Sequence, residues 1–233
     1  MMVVDIETSG TNPATDSILS IGAVDFGNPK NTFYGECRIR RGAHFEKEAL
    51  QVNGFSEAEI KDRRKVTEEE LVNQFADWKK SVEDATIAGH NVHFDLAFLK
   101  SAAKRYSIEI NLGNRTVDMH TLAYSDMLSK GVPVPLKDNR TAITSDKVYS
   151  YVGLKEEPKP HNALTGAMME AEAISRLIFR KGILKDFSEY RVPKAPQGAA
   201  APQKGNKSSN HISLPCRGSK VWFGHGHGKL RGT

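Results

Sequence analysis

Apolar and polar positions divide the chain into a strand-rich start and a helical remainder. Met2–Ile6 is an apolar run that ends in Glu7-Thr8-Ser9-Gly10, a strand leading into a turn. A second run, Ile18–Phe26, alternates poorly and predicts a largely buried strand, and Thr32–Arg40 predicts a third. Asn12-Pro13 and Gly27-Asn28-Pro29 mark the turns between them, so the three form an antiparallel meander. The period then changes. Ser56–Ile60 opens a short helix, and Thr67-x-x-Glu70 is a capping box for a longer one with Leu71, Phe75, Trp78 and Val82 on one face. Thr86–Ala88 predicts a short strand, 95–106 a helix with Leu96, Leu99 and Ala103 on one side, 116–119 a strand end and 121–128 a helix. Residues 131–160, with Pro133, Pro135, Pro158 and Pro160, read as irregular. A final helix over about 162–180 carries Leu164, Ala167/Met168, Ala171, Ile174 and Leu177/Ile178 on its apolar face and stops at Gly182. Strands first, then helices alternating with short strands, predict an α/β domain with a mixed sheet.

Composition changes this picture only at the C-terminal end. The 233 residues are 39% hydrophobic and 26% charged, which excludes a collagen-like, coiled-coil or wholly disordered chain. No apolar run reaches the ~18 residues of a membrane span, and the start MMVVDIETSG lacks the basic region and cleavage site of a signal peptide. Cys37 and Cys216 are too far apart to suggest a disulfide framework or a zinc site and fit a reducing cytoplasm. The net charge of +5 belongs to residues 191–233, which hold eight Lys or Arg and no Asp or Glu, whereas residues 1–190 hold 25 basic and 28 acidic residues. Pro and Gly fill 11 of those last 43 positions, so 1–190 is expected to be the folded domain and 191–233 a disordered basic tail. A basic tail suits an acidic partner such as nucleic acid. Within it, His211–Cys216 has a slight similarity to peptides that dock on sliding clamps, but lacks their usual glutamine, and 224–228 is a Gly-His repeat.

Three blocks carry chemistry. Asp5 and Glu7, two apart on a strand, leave the same face, and paired carboxylates repel unless divalent cations offset the cost. Gly89-His90-Asn91-Val92-His93-Phe94-Asp95 joins a strand to a helix start; it sets Asp95 in the first turn and offers Asn91 and His93 for hydrogen bonds and Phe94 for stacking. His161-Asn162-Ala163-Leu164-Thr165-Gly166-Ala167 puts a histidine before a helix, after a Pro-broken loop, where it serves as a surface residue, a cap or a general base.

In this order and spacing, the motifs V-V-D-I-E-T-S-G, G-H-N-V-H-F-D-L-A-F-L and H-N-A-L-T-G-A resemble the DEDDh family of 3′→5′ exonucleases, which includes the proofreading epsilon subunit of bacterial DNA polymerase III and ribonuclease T. Lesser matches are Val52-Asn53-Gly54 and Asp118; the similarity covers roughly residues 1–185. It implies a ribonuclease-H-like fold, a five-stranded mixed sheet flanked by helices. It also implies two Mg²⁺ or Mn²⁺ ions bridged by Asp5, with Glu7 on the ion that carries the attacking water, Asp95 near the second ion and His161 taking the proton. Thr8, Asn91 and Phe94 would line the terminal nucleotide of a single-stranded 3′ end, DNA first and RNA second. A DNA polymerase or sliding clamp would be a partner through the tail.

One position departs from the family pattern. The fourth carboxylate, an Asp five residues after the histidine, is replaced by Gly166. Three readings are open: an inactivated or weakened enzyme, a non-catalytic nucleic-acid binder on the same fold, or an enzyme in which Glu170, one helical turn on, substitutes. By helical period, 166 lies off the core stripe and towards His161, so an aspartate introduced there is expected to complete the ligand set.

Overall fold

In the computed structural model, which describes residues 1–193, a five-stranded mixed sheet runs in the order β3-β2-β1-β4-β5. β1 (Met2–Thr8), β2 (Ile18–Asp25) and β3 (Thr32–Glu36) form the expected antiparallel meander. β4 (Ile87–Gly89) and β5 (Thr116–Asp118) add to the other edge in parallel. Between β3 and β4 come α1 (Lys47–Asn53), α2 (Glu57–Ile60) and α3 (Glu68–Lys79). α4 (His93–Tyr106) connects β4 to β5 and α5 (Met119–Ser129) follows β5. The hairpin of β6 (Leu136–Lys137) and β7 (Arg140–Thr141), then α6 (Ser145–Tyr151) and α7 (Ala163–Phe179), complete the order, with a 3₁₀ turn at Lys185–Phe187.

The two-residue period of β1 sorts its side chains. Met2, Val4 and Ile6 pack with Leu71 and Phe75 of α3 and Leu96 and Leu99 of α4. Val3 belongs to the opposite layer, with Met119 and Ala123 of α5 and Ala167, Ala171 and Ile174 of α7. Asp5 and Glu7 continue the Val3 face and therefore lie towards α7. Gly22, which pairs with Asp5, lets α7 come this close: a Cβ there would overlap the backbone of Ala163 and Leu164.

Local signals fix most helix starts. The capping box of Thr67 and Glu70 forms at α3, and the Asn162 side chain accepts from Leu164 N (3.1 Å) and Thr165 N (3.2 Å) at α7. Several boundaries differ from the sequence expectation. β3 ends at Glu36, short of Arg40; beyond it Cys37 forms an isolated bridge to Val66 while its N–H still donates to Leu19 O (2.8 Å). α3 ends at Lys79, so Val82 is buried from outside the helix. Residues 131–160 are not wholly irregular: they contain β6, β7 and α6. α6 and the unanticipated α1 have only seven residues each, too few for a periodic signal, and burial of Val148, Tyr149 and Leu50 holds them in place. α7 stops at Phe179, where Arg180 takes φ 57°, and Gly182 lies instead against the Glu172 carboxylate.

Glu172 and Arg176, fully buried on α7, form a 2.7 Å ion pair. Glu172 accepts from Ile183 N and Leu184 N, and Arg176 donates to the carbonyls of Val152, Phe187 and Tyr190. The pair thus ties residues 181–190 to α7. Among the described residues no helix is long and apolar enough to cross a membrane. Nearly all of the expected basic tail, including the clamp-like segment and the Gly-His repeat, lies outside the described residues.

Candidate active site

β1 pairs with β4 only through Met2 and Val3, because β4 ends at Gly89. Beyond that point the edge of β1 is unpaired with β4, at the carboxyl ends of the parallel strands, the usual ligand position in such sheets. Asp95, in the first turn of α4, fills the edge: its Oδ1 accepts from Ile6 N at 3.1 Å. Asp5 and Glu7, half-buried, come from the strand itself. Asp118 plays a bracing part, accepting from Val92 N (3.1 Å) and capping α5 through Thr121 N (3.2 Å).

His161 is set on the rim by the Val52-Asn53-Gly54 segment. Its backbone N–H donates to Val52 O (3.0 Å), while Asn53 Nδ2 donates to Thr8 O (3.1 Å). One short segment therefore joins the end of β1 to the histidine loop. The His161 side chain is partly exposed, with Nδ1 3.8 Å from Glu157 Oε2, an ion-pair separation beyond hydrogen bonding. Asn91 and His93 are exposed, and Phe94 packs on Phe98 at 4.9 Å between ring centres. Thr8 is buried, and its hydroxyl donates to Gly10 O.

Gly166 faces this cluster. A Cβ there would overlap the Asp5 carboxylate, lying 2.9 Å from its Cγ, and would stand 3.4 Å from Glu157 Oε1. Glu157, 8% exposed, is the site residue that sequence reasoning missed. It sits in a Pro-broken loop with no periodic pattern, and only its position four residues before His161 hints at a role. Glu170, 5% exposed, also points inward, on the side of Asp95 and Gly89. Glu157 Oε1 and Glu170 Oε2 are buried without a hydrogen-bond partner.

The electrostatics follow from this crowding. Burial pushes Asp5 well above the usual carboxylate range, and the like charges of Glu170, Asp95, Glu7 and Glu157 add to the shift. Burial, then Glu157, push Glu7 up to about 8. Burial also raises Asp95 to about 8, against the hydrogen bond from Ile6. Glu170 and Glu157 are raised by burial as well, Glu170 also by Asp95. Five crowded carboxylates, two with orphaned oxygens, are a donor set that hard divalent ions fit. Among the described residues, the grouping whose ligand atoms all lie within 4.8 Å of one another is a different one, Asp16, His44 and Glu46; the carboxylates around Asp5 stand further apart. There the Asp16 carboxylate already accepts from Asn12 N (2.7 Å) and the Thr15 hydroxyl (3.0 Å).

The fold is an α/β domain that gathers carboxylates at the end of β1. Residues 2–174 match the RNase_T family of exonucleases, and the chain belongs to that family. It is 26% identical over 199 residues to a PolC-type DNA polymerase III of Caldanaerobacter subterraneus subsp. tengcongensis, covering 82% of this chain and 14% of that protein. It is 31% identical over 121 residues to ribonuclease T of Vibrio vulnificus, covering 46% of this chain and 56% of that enzyme. Thus the chain spans well under two thirds of either relative's length. Exonuclease I of E. coli in complex with a dA16 oligonucleotide shares the fold, with a TM-score of 0.60 at 18% identity, over 77% of this chain and 40% of that one. The resemblance to DEDD-type 3′→5′ exonucleases and the ribonuclease-H-like mixed sheet therefore hold.

Proposed function

We propose that this chain is a metal-dependent 3′→5′ exonuclease that releases nucleoside 5′-monophosphates from single-stranded DNA, with RNA as second substrate. The observation that carries the proposal is the gathering of Asp5, Glu7 and Asp95 on the free edge of β1, with His161 held at the rim by Val52 O. Asp5, Glu7 and Asp95 are the residues to hold Mg²⁺ or Mn²⁺. Two such ions, when bound, supply charge stabilisation to the attacking and leaving oxygens of a phosphodiester.

The protein's own groups do the rest. With His161 Nδ1 turned to Glu157, Nε2 is left to take a proton from the attacking water. Thr8, Asn91 and Phe94 would line the terminal nucleotide, with Asn91 offering hydrogen bonds and Phe94 a stacking surface. Single-stranded DNA is bound by the structural neighbour with a dA16 oligonucleotide, and the polymerase and ribonuclease T relatives suggest a polynucleotide end as substrate.

Gly166 favours a second reading, a binding protein on the same fold without turnover. One experiment separates them: digestion of labelled linear and circular oligonucleotides, DNA and RNA, with Mg²⁺, Mn²⁺ or EDTA. The enzyme releases 5′-monophosphates from linear 3′ ends and stops in EDTA. Binding without release supports the second reading; cleavage of circles, or activity that persists in EDTA, removes the exonuclease reading.

A further inference from the structure

We infer that Glu157, reaching in from the loop before His161, takes the metal-binding place that Gly166 leaves without a carboxylate. The inference rests on the exonuclease reading above and specifies one ligand of that site. A side chain at 166 would begin 3.4 Å from Glu157 Oε1, so this oxygen lies where the head of a short acidic side chain on α7 would reach. Glu157 is 8% exposed and its Oε1 has no hydrogen-bond partner, although burying an unpaired carboxylate oxygen is costly. The other oxygen faces His161 Nδ1 at 3.8 Å, so one side chain links the general base to the carboxylate cluster.

The choice of Glu157 over Glu170 follows from which side each occupies. Glu157 Oε1, and no atom of Glu170, is among the three atoms nearest to where a Cβ on Gly166 would be. Glu170 lies on the other side of the cluster, its Oε2 3.2 Å from where a Cβ on Gly89 would be. The Glu7 side is where the resemblance sets the ion that carries the attacking water. Glycine at 166 then has a positive role: the absent Cβ leaves room for the Asp5 carboxylate and for a ligand arriving from another segment.

The test is Mn²⁺ titration of the full chain by calorimetry, with metal-induced shifts in melting temperature read in parallel. The variants are Glu157→Gln, Glu157→Ala, Glu170→Gln and Asp5→Asn. Even the outer partners of metal ligands cost about 10- to 100-fold in affinity when removed, so both Glu157 variants should weaken Mn²⁺ binding by at least about tenfold. The metal-free melting temperature of Glu157→Gln should stay close to the parent's, because one carboxylate fewer in the crowded cluster offsets the lost His161 contact, so the loss of affinity is not a loss of folding. Glu170→Gln should cost less. Unchanged Mn²⁺ affinity in the Glu157 variants, or an equal or larger loss in Glu170→Gln, overturns the inference. Asp5→Asn separates the two levels: if it loses Mn²⁺ while Glu157→Gln does not, only the Glu157 assignment falls. If Asp5→Asn binds Mn²⁺ like the parent, the metal-dependent reading falls with it.

Discussion

Without divalent cations, the protein should lose stability as pH rises from 5 to 8, and Glu7→Gln should remove a measurable part of that loss. Glu7 titrates at about 8 in the native state. A glutamate in an unfolded chain titrates near 4.3. Between these values the native state keeps a proton that the unfolded state has released, so stability falls with pH at up to about 1.4 kcal/mol per unit. The stabilising contribution is complete below about pH 4 and is lost by the time pH has risen through 8. From pH 5 to 7 the loss is on the order of 2–3 kcal/mol, or roughly 5–10 °C in melting temperature for a domain of this size. Asp95, at about 8, acts in the same direction. His90, lowered by burial, acts oppositely as pH rises through the usual histidine range. Asp62 and Asp84, held low by Arg64 and the N-terminal amine, finish titrating below pH 5, whereas Asp5, Glu157 and Glu170, raised by burial, act in the same direction as Glu7 and are common to parent and variant. The assay is therefore a difference: melting midpoints in EDTA at half-unit steps, parent against Glu7→Gln. The parent's advantage should shrink, or its deficit grow, by about 2–3 kcal/mol from pH 5 to 7. Added Mn²⁺ should reverse the parent's slope, because ligands must lose their protons to bind it. Parallel pH profiles for parent and variant in EDTA would show that Glu7 is not held protonated by its surroundings.

Other expectations follow from single contacts. Arg176→Ala leaves Glu172 buried without its partner and should cost about 3–5 kcal/mol, read as a lower urea midpoint. Gly22→Ala forces a methyl into the α7 backbone, which cannot yield as a side chain does, and should cost at least about 1–3 kcal/mol; an unchanged melting temperature would refute the close approach. Gly166→Asp should not raise Mg²⁺-dependent turnover in the parent background, since its carboxylate would enter the place that Glu157 Oε1 already occupies; a gain of tenfold or more, about 1.4 kcal/mol, would mean that the fourth ligand place is empty without it. Deleting residues 194–233 removes seven Lys or Arg and no acidic residue, so oligonucleotide binding should weaken with a shallower salt dependence; an unchanged slope would remove the tail from the interface.

Much of the molecule was decided by sequence alone. The apolar alternation of β1 dictates that Asp5 and Glu7 share a face, and Thr67, Glu70 and Asn162 announce their helices because a cap depends only on side chains a few residues apart. Asp95 and His161 are legible for a similar reason, each lying in a short block at a helix start. Glu157 is not, because its place is set by a non-repeating loop that passes over α7, a contact between segments that leaves no local period. Likewise, the sequence marks Gly166 as a missing carboxylate, but only packing tells what the gap admits. Gly22 lets α7 settle on β2, α7 brings position 166 over Asp5, and the oxygen that closes the space arrives from elsewhere in the chain. Ligand chemistry can thus be inherited residue by residue, whereas the place of each ligand is a property of the assembled layers.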